Sequence, residues 1–120
     1  MKTIQIDQPH PIHWPAAVED ALRDLRAALR QVYGRKAPRV VLYGSYARGE
    51  ADDTSDVDVL LLYPDRIVVG EEIQRLGAIL ADLNLRYQVL ISILPVSQSD
   101  WKTAQNAFWN NIRREGVSLA

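Results

Sequence analysis

The sequence predicts an α/β domain in which helices flank a small mixed β-sheet. The stretch from Ala16 to about Tyr33 carries its apolar residues at spacings of three and four, the mark of an amphipathic helix. The stretch from Asp56 to Tyr63 is almost unbroken in Val and Leu after Asp58, as a strand buried on both faces requires. The order of such segments is helix, strand, turn, strand, helix, strand, helix, and that order stacks helices on a sheet.

Each element has its own local signature. Residues 1–15 read as an irregular arm, because Pro9, Pro11 and Pro15 interrupt helix propagation. Within it, His10 and His13 could form a metal pair, but no cysteine or acid adjoins either, so they are read as residues of an extended arm, with Trp14 tacking it to the body. Thr3-Ile4-Gln5-Ile6 alternates like a short edge strand, its partner left open. In the first helix Val18, Ala21, Leu22, Leu25, Ala28, Leu29 and Val32 form one stripe. Pro15 suits its first position, Glu19 and Asp20 complement the dipole, and Gly34 stops it. Pro38 introduces a short strand, Arg39 to Tyr43, that ends at Gly44, and Pro64 closes the strand from Asp56 to Tyr63. A second helix is expected over Glu71 to Leu83, with Ile73, Leu76, Ile79, Leu80 and Leu83 inward. A third strand is expected over Tyr87 to Leu94, ended by Pro95. A last helix, capped by Ser97 or Ser99, is expected to run through Trp101, Ala104, Phe108 and Ile112 to Gly116. No repeat or linker divides residues 1–120, so one domain is expected.

Composition narrows the function. Fourteen Lys and Arg against fifteen Asp and Glu give a net charge of −1, leaving no surplus of cations for nucleic-acid phosphates. The absence of cysteine removes disulfides, thiolate chemistry and Cys-ligated metal. No apolar run is long enough to span a bilayer, and the first residues lack the apolar core of a secretion signal. A soluble, cytoplasmic protein that binds neither membrane nor nucleic acid is expected.

The chemistry concentrates in residues 44–58. Gly44 ends one strand and Ser45 opens a turn through Arg48, where free backbone N–H groups and a hydroxyl could cradle a phosphate. Asp56 and Asp58 are two apart on a strand, so both carboxylates leave the same face. Such a pair repels itself unless a cation sits between, and hard oxygen ligands select magnesium or manganese. A phosphate cradle beside a metal-binding pair points to a nucleoside triphosphate, with paired metals roughly 3.5–4 Å apart activating a hydroxyl and stabilising pyrophosphate. Asp52 and Asp53 are read as a solvated loop. Tyr43, Tyr46 and Tyr63 are read as packing residues that could stack a base. Trp101, Phe108 and Trp109 are read as core, with one of Phe108 and Trp109 free for a partner. Arg113-Arg114-Glu115 is read as a solvated helix end.

Gly44-Ser45, Arg48-Gly49 and Ser55-Asp56-Val57-Asp58 together resemble the signature of the polymerase-β-type nucleotidyltransferases. The likeness is closest to the minimal nucleotidyltransferase (MNT) domains found as antitoxins beside HEPN-domain toxins. The resemblance implies that Gly44 and Ser45 hold the triphosphate, with Arg48 and Ser55 supporting the loop or nucleotide. It implies that Asp56 and Asp58 are catalytic and bind Mg2+ or Mn2+. The implied reaction moves AMP, or another NMP, from ATP or another NTP to a hydroxyl. In the antitoxin branch that hydroxyl is a tyrosine of the HEPN partner, in a hetero-oligomer.

One part of the pattern is missing. Active members place a third carboxylate on the later strand, and Tyr87 to Leu94 holds no Asp or Glu. Ser92 is the expected occupant of that position, with Gln88 as the other option. Glu71, Glu72 or a partner's side chain would then have to substitute. The alternative function is a weakened or inactive transferase fold that neutralises its partner by binding alone.

Overall fold

A computed structural model describes residues 1–120. Its elements are β1 (Lys2–Ile4), α1 (Ala16–Tyr33), β2 (Arg39–Tyr43), α2 (Ser45–Arg48), β3 (Val57–Tyr63), α3 (Val69–Tyr87), β4 (Ile91–Ser97), α4 (Gln98–Thr103), α5 (Ala107–Glu115) and β5 (Val117–Leu119), with a 3-10 turn at Gly34–Lys36. The five strands form one mixed sheet in the order β1-β5-β2-β3-β4. β2 runs antiparallel to β3 and β5, whereas β3–β4 and β1–β5 are parallel pairs. The predicted class, a small mixed sheet flanked by helices, is the observed one.

Alternation along the strands sends side chains to two cores. Val40, Leu42, Val57, Val59 and Leu61 join Leu22, Leu25 and Leu29 of α1 and Leu76 and Leu83 of α3 in the larger core. Val41, Leu60, Leu62 and Val96 meet Trp101 and Ile112 of α4 and α5 on the opposite face. β3 is buried on both sides, as its apolar run requires.

The first helix has its predicted bounds, with Pro15 one place earlier, at the N-cap, and Gly34 at the C-cap. Val32 and Ile73, expected in the core, are exposed. Val32 lies within the stripe but in the last turn of α1, and Ile73 lies at the margin of the stripe near the start of α3. α3 is longer than expected at its C-terminal end. Tyr87 lies a further turn beyond Leu83 and anchors that end, its hydroxyl donating to Asp24 of α1. Gln88 caps the helix in the left-handed region at φ 53°, so the next strand starts only at Ile91. That strand also runs through Pro95 to Ser97 instead of ending before it. β4 is an edge strand, and an edge tolerates proline because one side of its backbone has no ladder to complete.

The last expected helix is two. Ser97 caps α4, accepting from the Asp100 N–H at 3.2 Å, and Asn106 caps α5, accepting from the Trp109 N–H at 3.0 Å. Arg113 locks the joint by donating to the carbonyls of Trp101 and Ala104. β5 was not foreseen, and the alternating start of the chain pairs with it rather than with β2. The rest of the arm is held by Trp14, whose indole N–H donates to the Tyr46 carbonyl at 3.1 Å. His10 does meet an acid, Glu19 at 2.9 Å, brought in from the first turn of α1. His13 is exposed, and no group of three or more His, Cys, Asp or Glu is placed to hold a metal ion.

Candidate active site

The predicted site residues gather where β2 ends and β3 and β4 begin. The antiparallel register sets Tyr43 opposite Asp58, and the parallel register sets Asp58 beside Ser92. Asp58, Ser92 and Tyr43 all face the side of the sheet that α4 and α5 cover. Asp56 stands just before β3 and is exposed, while Asp58 is half-buried.

Gly44 makes this junction possible. Its backbone lies at φ 76° and ψ −154°, a region open essentially to glycine alone. A Cβ there would stand 2.3 Å from Asp58 Oδ2. The absence of a side chain therefore lets the turn into α2 lie against the Asp58 carboxylate. Ser45 begins that turn, and Gly49 ends it at φ 73°.

The electrostatics leave the carboxylates exposed to one another. Burial pushes the Asp58 carboxyl above its usual range, the charge on Asp56 raises it further, and Arg48 offsets part of this. Arg48 does not pair with either aspartate; its guanidinium meets Glu50 at 3.0 Å and Glu115 at 3.5 Å. Ser55 belongs to an Asx turn, its hydroxyl accepting from the Asp52 N–H at 2.9 Å while Asp52 accepts from Thr54. Asp52 is thereby a loop-forming residue as well as a solvated one.

Two suggestions for the missing carboxylate fail. Gln88 is a helix cap rather than a strand residue. Glu72 lies at the other end of the sheet, buried between Tyr33 and Arg75 beside Tyr63, and Glu71 precedes it on the same first turn of α3. Tyr63 lies five residue steps along β3 from Asp58, about 16 Å of rise. Tyr63 belongs to that distant cluster and Tyr46 is buried, which leaves Tyr43 as the tyrosine side chain beside the aspartates. Phe108 is the exposed member of the aromatic pair on α5, with 48% of its surface free. Sequence reasoning missed its contact with Tyr43, at 6.0 Å between ring centroids. No local signal could have joined residues so far apart in the chain.

The family model described as "Nucleotidyltransferase domain" matches residues 22–112. The chain belongs to the nucleotidyltransferase domain family. Two proteins of Methanocaldococcus jannaschii, both named putative protein adenylyltransferases, are similar over nearly their whole length. One is 32% identical over 100 residues, 83% of this chain and 96% of its own. The other is 29% identical over 103 residues, 84% of this chain and 96% of its own. A crystal structure of a mutant MntA–HpeT toxin–antitoxin pair superposes with a TM-score of 0.52 at 18% identity, covering 82% of this chain and 71% of that one. At that identity the likeness shows a shared fold.

Nucleotidyltransferases of this family use a triphosphate and a divalent cation. In this domain the fitting donors are the carboxylates of Asp56 and Asp58, hard oxygens whose mutual repulsion a cation would relieve. The neighbour across the β3–β4 ladder is a serine, so the nucleotidyltransferase domain itself offers two carboxylates at this position.

Proposed function

We propose that this nucleotidyltransferase domain transfers AMP from ATP to a tyrosine hydroxyl on a HEPN-type toxin and acts as its antitoxin. The observation that carries this reading is the packing of Gly44 on Asp58, which sets the Ser45 turn against the aspartate pair. The two relatives named as protein adenylyltransferases support a protein acceptor.

In this mechanism Ser45 and the backbone at Gly44 bind the β- and γ-phosphates, and Arg48 braces the loop through Glu50 and Glu115. Asp56 and Asp58 would hold Mg2+ or Mn2+, which when bound neutralises phosphate charge and the leaving pyrophosphate. The acceptor oxygen bonds to the α-phosphorus as the bond to the β-phosphate oxygen breaks, and pyrophosphate departs. The hydroxyl proton leaves to water, because Ser92 has no charge with which to take it. A general base contributes about 10²–10⁴ in rate, so transfer is slow until a partner carboxylate enters beside Ser92.

The serine at position 92 also favours a second reading, a weakened transferase that silences its partner by contact alone. The combined Asp56→Ala and Asp58→Ala variant tests the metal-binding role on which the transfer reading depends. On the transfer reading it folds normally and loses magnesium-dependent ATP binding. Unchanged ATP affinity in that variant would remove the metal-binding role.

A further inference from the structure

Phe108 is a large aromatic side chain that the fold leaves half in water beside the aspartates. It stands on α5, one residue from Trp109, whose ring it meets edge-on at 5.3 Å, and its own ring meets Tyr43 at 6.0 Å and 86°. Tyr43 is the cross-strand neighbour of Asp58, so this aromatic pair begins one residue's width from the candidate metal ligands. A cleft of about 220 Å³ opens between them, bordered by Tyr43, Gly44, Arg48, Phe108, Asn111 and Glu115. Gly44 lies both on this cleft and against Asp58, so the cleft borders the proposed triphosphate site through that residue.

We propose that this cleft seats the nucleobase of the triphosphate, stacked on Phe108, with Tyr43 at its edge and Asn111 supplying its hydrogen bonds. This assignment rests on the transferase reading and adds to it the residues that choose the base. Asn111 lies one helical turn after Phe108, so both side chains emerge on the same side of α5. Its Oδ1 accepts from Arg114 at 2.7 Å, which orients the amide and leaves its NH2 group to donate to a ring nitrogen or carbonyl. An aromatic face binds any base, and a purine covers more of Phe108 than a pyrimidine does. The site therefore prefers ATP or GTP over CTP or UTP.

Binding of ATP, CTP and inorganic tripolyphosphate to the full chain with Mg2+ tests this, using wild type, Phe108→Ala, Phe108→Trp and Asn111→Ala. Phe108→Ala is expected to weaken ATP about tenfold, in the range that base–aromatic stacking supplies, and to leave tripolyphosphate unchanged. Phe108→Trp is expected to restore ATP, and Asn111→Ala to weaken ATP and CTP while leaving tripolyphosphate unchanged. Equal ATP affinity in wild type and Phe108→Ala would overturn the base assignment while tripolyphosphate binding kept the transferase reading alive. Equal weakening of ATP and tripolyphosphate would also overturn it, because the ring would then serve only the loop's structure. A wild type that binds neither ligand would remove both readings together.

Discussion

Replacing Gly44 with alanine separates the two tasks of this residue. The backbone at φ 76° and ψ −154° is held against a preference that costs a residue with a side chain about 1–3 kcal/mol. For a chain of this size, about 4 °C of melting temperature accompanies each kcal/mol, so a fall of about 4–12 °C is expected. The added Cβ would also lie 2.3 Å from Asp58 Oδ2 and 3.2 Å from its Cγ. That carboxylate is the free end of a side chain and can swing aside, at the expense of its position beside Asp56. Magnesium-dependent ATP binding should therefore fall by more than the loss of stability explains, and it should remain weak at temperatures where the variant is fully folded. Gly34→Ala is the control. Gly34 also has positive φ, 59°, but nothing lies within 4 Å of its Cβ position. It should lose comparable stability and keep ATP binding. Thermal unfolding by circular dichroism and calorimetric titration with ATP read both quantities. A Gly44→Ala protein that binds ATP as the wild type does would refute the placement of Gly44 against a working Asp58.

Other perturbations reach other parts of the account. Ser92→Asp places a carboxylate beside Asp58 at an exposed position, so it should fold and raise AMP transfer about 10²-fold, an increase that chelation of the metal abolishes. No gain in a radiolabelled-ATP transfer assay would mean that the base comes from another chain. At the opposite end of the sheet, burial pushes the Tyr63 and Tyr33 hydroxyls up, Tyr63 donating to Tyr33 and Tyr33 to Glu72. Their protons leave the unfolded chain near pH 10 but stay on the folded one, so stability is full below that pH and falls above it. Each group contributes up to about 1.4 kcal/mol per pH unit. Tyr63→Phe should flatten this alkaline loss in urea titrations between pH 9 and 11; an unchanged slope would contradict it. Trp14→Phe removes the hydrogen bond to the Tyr46 carbonyl and should cost about 1–2 kcal/mol, read as a lower urea midpoint. An unchanged midpoint would show that the arm is not fastened there.

The sequence made the middle of this domain legible because its signals are local. Proline and glycine bracket β2 and the Val and Leu run fills β3, whereas of the two aspartates expected on that strand Asp58 lies on it and Asp56 stands one residue before it. The register of Ser92 against Asp58 was also within reach, since only one apolar run remained to pair with β3. The termini were less readable. β1 shows only the short alternation at Thr3 to Ile6, and β5, three residues set between β1 and β2, is too short to show any period. The boundary at Tyr87 was misplaced because a β-rich composition, Tyr-Gln-Val-Leu, hid a helix end fixed by a contact with Asp24 in α1. Reading one last helix across residues 97–116 overlooked Asn106, a capping residue whose effect depends on the backbone turning there. The His10–Glu19 pair and the Phe108–Tyr43 contact join separate elements and could be seen only in the folded chain.

Transfer of AMP to a partner protein is read without intermediaries in the intact mass of that partner. The protein would be purified with whatever it retains from its host, then incubated with ATP and magnesium beside the combined Asp56→Ala and Asp58→Ala variant. A partner heavier by one or more AMP groups with wild type alone is expected. A partner that binds both forms and gains no mass would contradict transfer and leave a contact inhibitor.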